Sequence, residues 1–355
     1  MENICQKPDL LENIALLSAL PGVSGDEVLV REAILGQIKH CANEITVDPL
    51  GNLIVFKKGK ATPAKRLLFS AHMDEVGFII TFIEESGLLR FAPVGGIDSR
   101  VVVGRGVEVG PRRLYGVIGT KAVHHQSNRE QEEPLPIDRL AIDIGAKTKA
   151  EAEALVSPGD RAVFDSRFTK LGDWSEGKQG QILSKALDDR AGCAILIDML
   201  HQDLPWDCYF TFTVQEENGC IGAIAAGYTV APDIAVAVET TTASDIPGVS
   251  PDKAFCRFGA GPVVSFMDRG TVYDSGLYAL ALETARARHI PAQSKTGVAG
   301  GNESRSLQTS RGGARTLAVS MPCRYLHAPS CTLQVSDILH TRDLLLALCD
   351  SLGQL

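Results

Sequence analysis

The sequence predicts an α/β protein in which one domain, assembled from both ends of the chain, is interrupted by an all-β module. Three observations carry this. Helix and strand signals alternate up to about Ser70. From about Val76 to Ser166 the texture becomes β-like runs between Gly- and Pro-containing turns. After Gly180 the alternation returns. Alternating helices and strands argue for an α/β layer architecture, and a run of short strands for a separate β unit. The expected boundaries are 1–75 with 167–355 for the first unit and 76–166 for the insert.

Taken in order, Leu10–Leu20 has apolar residues at helical spacing and stops at Pro21-Gly22. Ser24 with Glu27 reads as a capping box opening a second helix through about His40. Strands follow at Glu44–Asp48, Asn52–Lys57 and Arg66–Ser70, the last short and apolar, as a strand buried on both faces should be. In the insert, strands are expected at Gly77–Phe82, Leu88–Phe91, Val101–Val109 and Leu114–Thr120, and a helix at Lys147–Leu155. Gln126–Pro134 is a polar loop. The second half predicts helix Asp189–His201, strand Cys208–Gln215, a helix near Ile221–Gly227 and strand Asp233–Glu239. Helices Gly276–His289 and Glu303–Thr309, strand Thr316–Met321 and a closing helix Ser336–Leu352 complete it.

Composition narrows the function. The chain has 355 residues, 45% hydrophobic and 22% charged, which excludes bulk disorder and allows a sizeable core. A net charge of −8 argues against nucleic-acid binding, which needs a basic footprint. No apolar run approaches the roughly 18 residues of a membrane span, and the first residues lack the shape of a secretory signal. A cytoplasmic protein is expected. The nine cysteines are scattered, with no CxxC pair, so neither a disulfide framework nor a thiolate zinc site is indicated.

Metal-binding side chains recur at strand ends and helix starts. His72 and Asp74 follow strand Arg66–Ser70 and, two apart, face the same way, so one can bind metal while the other orients it. Asp188 and Asp189 open a helix, where Asp is also an ordinary N-cap. Glu216 and Glu217 are delivered by a strongly β-forming strand onto a Gly-bearing loop, at the end where α/β sheets bind ligands. Glu239 ends an apolar strand, and His327 follows another. Taken singly, Glu239 reads as a solvated strand terminus and His327 as a loop histidine. Together these residues supply the mixed nitrogen and oxygen set favoured by Zn²⁺, Co²⁺ or Mn²⁺. One bridging carboxylate with a His and a carboxylate per metal would build a hydrolytic site with its metals roughly 3.5–4 Å apart. The adjacent His124-His125 reads instead as a loop or interface feature.

The segments AHMDEVGF, SKALDDRAG, VQEENGCIGA and PCRYLHAP resemble the signatures of the M42 metallo-aminopeptidases, the glutamyl aminopeptidase and FrvX-like group. The resemblance runs from about Leu10 to Leu345. It implies a mixed-sheet zinc-peptidase-type catalytic domain with an inserted small PDZ-like barrel serving assembly and access. It implies two divalent metals per subunit, Zn or Co foremost and Mn as an alternative. His72 and Glu239 would complete one metal, Glu217 and His327 the other, and Asp188 would bridge. Glu216 would be the general base, Asp74 would steady His72, and Asp189 would set the local backbone. The substrates would be short peptides with a free amino end, and the subunits would form a homo-oligomer, in the family often a dodecamer. Two positions depart from the family pattern, Glu239 for the usual Asp and Glu303 within Gly300–Ser304 for a GGTDA-like segment. The departures keep a neighbouring function in play, a metal-dependent deacylase or carboxypeptidase-like enzyme. An inactive scaffold is the rival from another class.

Overall fold

The computed structural model describes residues 7–128, 132–175 and 179–355, so Cys5 and residues 129–131 of the Gln126–Pro134 segment lie outside it. Helix Leu10–Ala19 is capped by Asp9, whose carboxylate accepts from the Leu11 and Glu12 amides. Helix Val28–Ile38 follows, but without the expected capping box. Ser24 Oγ instead donates to Asp74 Oδ2 at 2.6 Å, and Glu27 Oε1 accepts from the Gly25 amide at 2.6 Å and the Gln215 amide at 3.1 Å. Both side chains are buried, and tertiary partners capture them in place of the helix end.

The sheet begins with β1 (Glu44–Val47), β2 (Leu53–Lys57) and β3 (Leu67–His72), the last buried at every position as its apolar run predicts. The chain then leaves for the insert, β4 (Gly77–Ile83), β5 (Leu89–Val94), β6 (Gly106–Val109), β7 (Leu114–Gly119), β8 (Ala141–Asp143) and β9 (Arg161–Phe164). These close an antiparallel barrel in the order β4-β5-β8-β7-β6-β9. Its core is its own, with Phe78 edge-on to Phe91 and Phe164 at 5.0 and 5.2 Å among Val107, Val109, Ile118 and Ile142. The expected strand Val101–Val109 is shorter than predicted. Residues Ser99–Val101 form a 3₁₀ turn, and Gly104 at φ +76 delays the strand to Gly106.

The second half adds β10 (Thr169–Leu171), β11 (Gln181–Ser184), β12 (Cys208–Thr213), β13 (Ile234–Thr242), β14 (Val263–Ser265), β15 (Gln293–Lys295), β16 (Arg315–Arg324) and β17 (Cys331–Gln334). The resulting 11-stranded mixed sheet runs β1-β2-β12-β3-β13-β16-β17-β11-β10, with β14 and β15 attached beside β16. Its centre, β12-β3-β13-β16, is parallel. Alternate residues point to opposite faces. Leu67 and Phe69 join helices Leu10–Ala19, Leu187–Leu200 and Val335–Leu352 in the main core, while Leu68 packs with Ala223, Val230 and Leu307 on the other face. Helix Leu187–Leu200 is buried almost all round, its apolar stretch Ala191–Ile197 lying in the main core and its charged residues Asp189, Arg190 and Asp198 buried as well. Among the described residues no helix is long and apolar enough to cross a membrane.

Candidate metal centre

The carboxyl ends of the four central parallel strands converge, and the residues singled out in the sequence converge with them. His72 is the last residue of β3, and Glu216-Glu217 lie just past β12. Glu239 is not a strand terminus, because Thr240, Thr241 and Thr242 extend β13 in register with Met321, Pro322 and Cys323. Its carboxylate nevertheless stands 3.7 Å from His72 Nε2 and is 4% exposed. Asp188 and Asp189 leave helical geometry at the start of Leu187–Leu200, with φ/ψ of −84/107 and −120/39, and the peptide between them is cis. Asp189 still caps the helix, its Oδ1 accepting from the Gly192 amide at 3.1 Å, whereas Asp188 turns into the cluster.

Asp188 sits between two imidazoles. Its Oδ1 is 3.5 Å from His72 Nε2 and its Oδ2 is 3.4 Å from His327 Nε2. His327 Nε2 also lies 3.2 Å from Glu217 Oε1, and His72 Nε2 lies 4.0 Å from Glu216 Oε2. The opposite nitrogen of each ring is held. His72 Nδ1 faces the Asp74 carbonyl at 3.2 Å and Asp74 Oδ1 at 3.5 Å, and His327 Nδ1 faces the Gly96 carbonyl at 3.0 Å. Asp74 has a second task that its spacing from His72 does not reveal. It accepts from the Glu216 and Glu217 amides at 2.9 and 3.0 Å, fixing the loop that carries both glutamates.

A buried cationic clamp joins the segments. Arg190, fully buried, donates to the Met73 and Leu17 carbonyls at 2.6 Å each, and Lys185 Nζ binds both Glu75 oxygens at 2.7 and 2.9 Å. Glu75 in turn accepts from the Gly22 amide. The loops bearing Ser24, Asp74 and Asp188 are thus tied together.

The electrostatics leave negative charge in excess. Burial, with Glu217, Asp74 and Asp188 nearby, pushes Glu216 up to about 8. Burial likewise lifts Glu239 and Asp189 well above the usual carboxylate range. Burial disfavours a charged His327, yet Asp188 and Glu217 outweigh it and raise the imidazole to about 11. Asp188 Oδ1, Asp189 Oδ2 and Glu239 Oε1 are buried with no hydrogen-bond partner. Burying carboxylates in this way is costly unless a cation compensates. Ligand atoms of His72, Asp188 and Glu217 lie within 4.8 Å of one another, as do those of His72, Asp189 and Glu239. The donor set and the unpaired oxygens fit divalent metal. They also bring in Asp189, whose expected part was only to shape the backbone.

A cavity of about 620 Å³ opens onto this cluster. Residues not anticipated as part of the site adjoin it. Cys220 Sγ donates to Glu216 Oε1 at 3.2 Å, and Ser24, Glu27 and Gly96 hold the surrounding loops. Glu303 is fully buried behind it and accepts from Thr213 Oγ1 at 2.6 Å. His124 and His125 pack ring against ring at 4.3 Å on the exposed barrel surface, and among the described residues they belong to no three-ligand group. The eight described cysteines are free thiols.

The profile of the M42 glutamyl aminopeptidases matches residues 51–344. A provisionally named aminopeptidase of Acetivibrio thermocellus is 38% identical over 347 residues, 97% of this chain and 100% of that one. Among solved structures, an aminopeptidase of Desulfurococcus kamchatkensis superposes with a TM-score of 0.89 at 31% identity, covering 96% of this chain and 94% of its own. The TET1 peptidase of Pyrococcus horikoshii, described as assembling into a tetrahedron or a large octahedral shell, gives a TM-score of 0.84 at 35% identity, covering 96% and 99%. With a family match over most of its length, a mixed sheet carrying a closed barrel, and homologues that are aminopeptidases, the chain belongs to the M42 glutamyl aminopeptidase family and is a hydrolase of peptide bonds.

Proposed function

We propose that this protein is a dinuclear metal-dependent aminopeptidase that trims short peptides in the cytoplasm. The observation that carries the reading is the Asp188 carboxylate poised between the His72 and His327 imidazoles. His72 with Glu239 would hold one metal and Glu217 with His327 the other, with Asp188 shared. Zn²⁺ or Co²⁺ suits the donor set best, with Mn²⁺ as an alternative. Bound divalent cations supply Lewis acidity, polarising the scissile carbonyl and acidifying water. Glu216 is the general base. Its carboxylate would accept a proton from water and return it to the leaving amine.

The barrel, with boundaries at 76–166, serves self-association and access, and 1–75 with 167–355 form the catalytic unit. Homo-oligomerisation is supported by the shell-forming TET1 relative. Free, mostly buried thiols suit a reducing compartment. The test pairs amino-acid p-nitroanilides with their N-acylated counterparts on protein reconstituted separately with Zn²⁺, Co²⁺ and Mn²⁺. Cleavage of the free-amine series alone supports the proposal. Release of p-nitroaniline from the acylated series would show cleavage that needs no free amine, and loss of the acyl group with the anilide left intact would make the protein a deacylase.

A further inference from the structure

The barrel reaches the metal centre at the turn that follows β5. The Gly96 carbonyl accepts from His327 Nδ1 at 3.0 Å, which leaves Nε2 directed at Asp188 and Glu217. The neighbouring Gly95 lies at φ +81, and a Cβ there would stand 2.8 Å from Val76 Cγ1 and 3.3 Å from Glu217 Cβ. The backbone of this turn therefore lies against both side chains of one half of the centre. His327 needs such support, because its own φ of 55 is left-handed, a conformation that costs a non-glycine residue roughly 1–2 kcal/mol. Gly96 and His327 line the main cavity and also a second one of about 540 Å³ between the barrel and the loop after β16. Their hydrogen bond joins the barrel to the catalytic half beside the metal centre.

We propose that the Gly95-Gly96 turn of the barrel is a positioning element of the metal centre, setting the His327 ring and the Glu217 side chain for metal. The inference rests on the reading that Glu217 and His327 hold metal. It gives the barrel a part in the chemistry although no ligand comes from it. An imidazole that donates its second N–H to a carbonyl is held in one orientation and one tautomer, and losing such a partner typically costs about 10–100-fold in metal affinity or activity.

The test uses the full chain stripped of metal and titrated calorimetrically with Co²⁺, with visible absorption of the bound ion as a second readout. Gly95→Ala should weaken one of two Co²⁺ equivalents by about 10–100-fold and change the absorption spectrum. Gly87→Ala is the structural control. It sits at φ +86 at the other end of β5, where a Cβ would stand 2.6 Å from the Ala146 carbonyl oxygen, so it strains the same barrel away from the centre. It should lower the melting temperature and leave both equivalents intact. Should Gly95→Ala not fold, Gly96→Val replaces it. A Cβ at Gly96 would be 3.5 Å from His327 Nδ1, so the bulkier valine should push the ring away. Wild-type Co²⁺ binding by Gly95→Ala, or loss of the same equivalent in Gly87→Ala, would overturn the inference. A wild-type chain that takes up no Co²⁺ would overturn the ligand reading itself, and this inference with it.

Discussion

Shortening Glu239 by one methylene should empty one metal position. Its Oε2 stands 3.7 Å from His72 Nε2. Two ligands each about 2.1 Å from one tetrahedral metal are ~3.4 Å apart, so the observed pair is close to a shared-metal spacing. Removing a carbon–carbon bond of about 1.5 Å draws the carboxylate back to ~5 Å from that nitrogen, farther than two ligands of one such ion can be. The backbone cannot follow easily. β13 is paired with β3 through Val236 and Ala237 and with β16 at Glu239 itself, opposite Ser320. Glu239→Asp should therefore weaken one metal by at least the 10–100-fold typical of lost orienting contacts, about 1.4–2.7 kcal/mol. Glu239→Ala should be worse, since it also removes a charge that balances the cations. The assay is metal content by mass spectrometry after dialysis, with rates on free-amine substrates. Two tightly bound metals and a normal rate in Glu239→Ala would show that Glu239 is no ligand.

Two other substitutions probe different parts of the account. Glu216→Gln should keep both metals and the Cys220 contact but lose about 10²–10⁴-fold in kcat, some 3–5 kcal/mol of barrier. A parallel fall in metal content would reassign Glu216 as a ligand. Arg190→Leu should destabilise the fold by about 3–5 kcal/mol, because the Met73, Leu17, Leu20 and Gly22 carbonyls lose a buried charged donor and Glu75 is left with Lys185 as its cationic partner. Chemical denaturation measures this, and an unchanged midpoint would show the clamp to be dispensable.

Much of the fold was legible because its central strands are uninterrupted apolar or β-branched runs. Leu67–His72, Cys208–Thr213 and Ile234–Thr242 can bury both faces only inside a parallel sheet. Short strands such as Val263–Ser265 and Gln293–Lys295 exist by pairing with β16 and with each other, and three residues carry no period to read. Within the centre, the positions of His72, Glu216, Glu217 and His327 followed from placing polar residues after strands. The supporting contacts did not. Ser24 and Glu27 form a pattern that suits a helix cap, and only the fold reveals that Asp74 and the Gln215 amide compete for them. Gly96 acts through its carbonyl, which every residue has, so its role is invisible in sequence. Asp189 looked like a backbone residue because its approach to Glu239 depends on the non-helical geometry at Asp188-Asp189.

The central claim is a two-metal centre shared across Asp188, and metal stoichiometry tests it most directly. Full-length protein purified without chelator, loaded with excess Zn²⁺ and dialysed, should retain two ions per chain, and Asp188→Ala should lose affinity for both because its carboxylate faces both imidazoles. One ion per chain in the wild type, or two ions retained by Asp188→Ala, would contradict it.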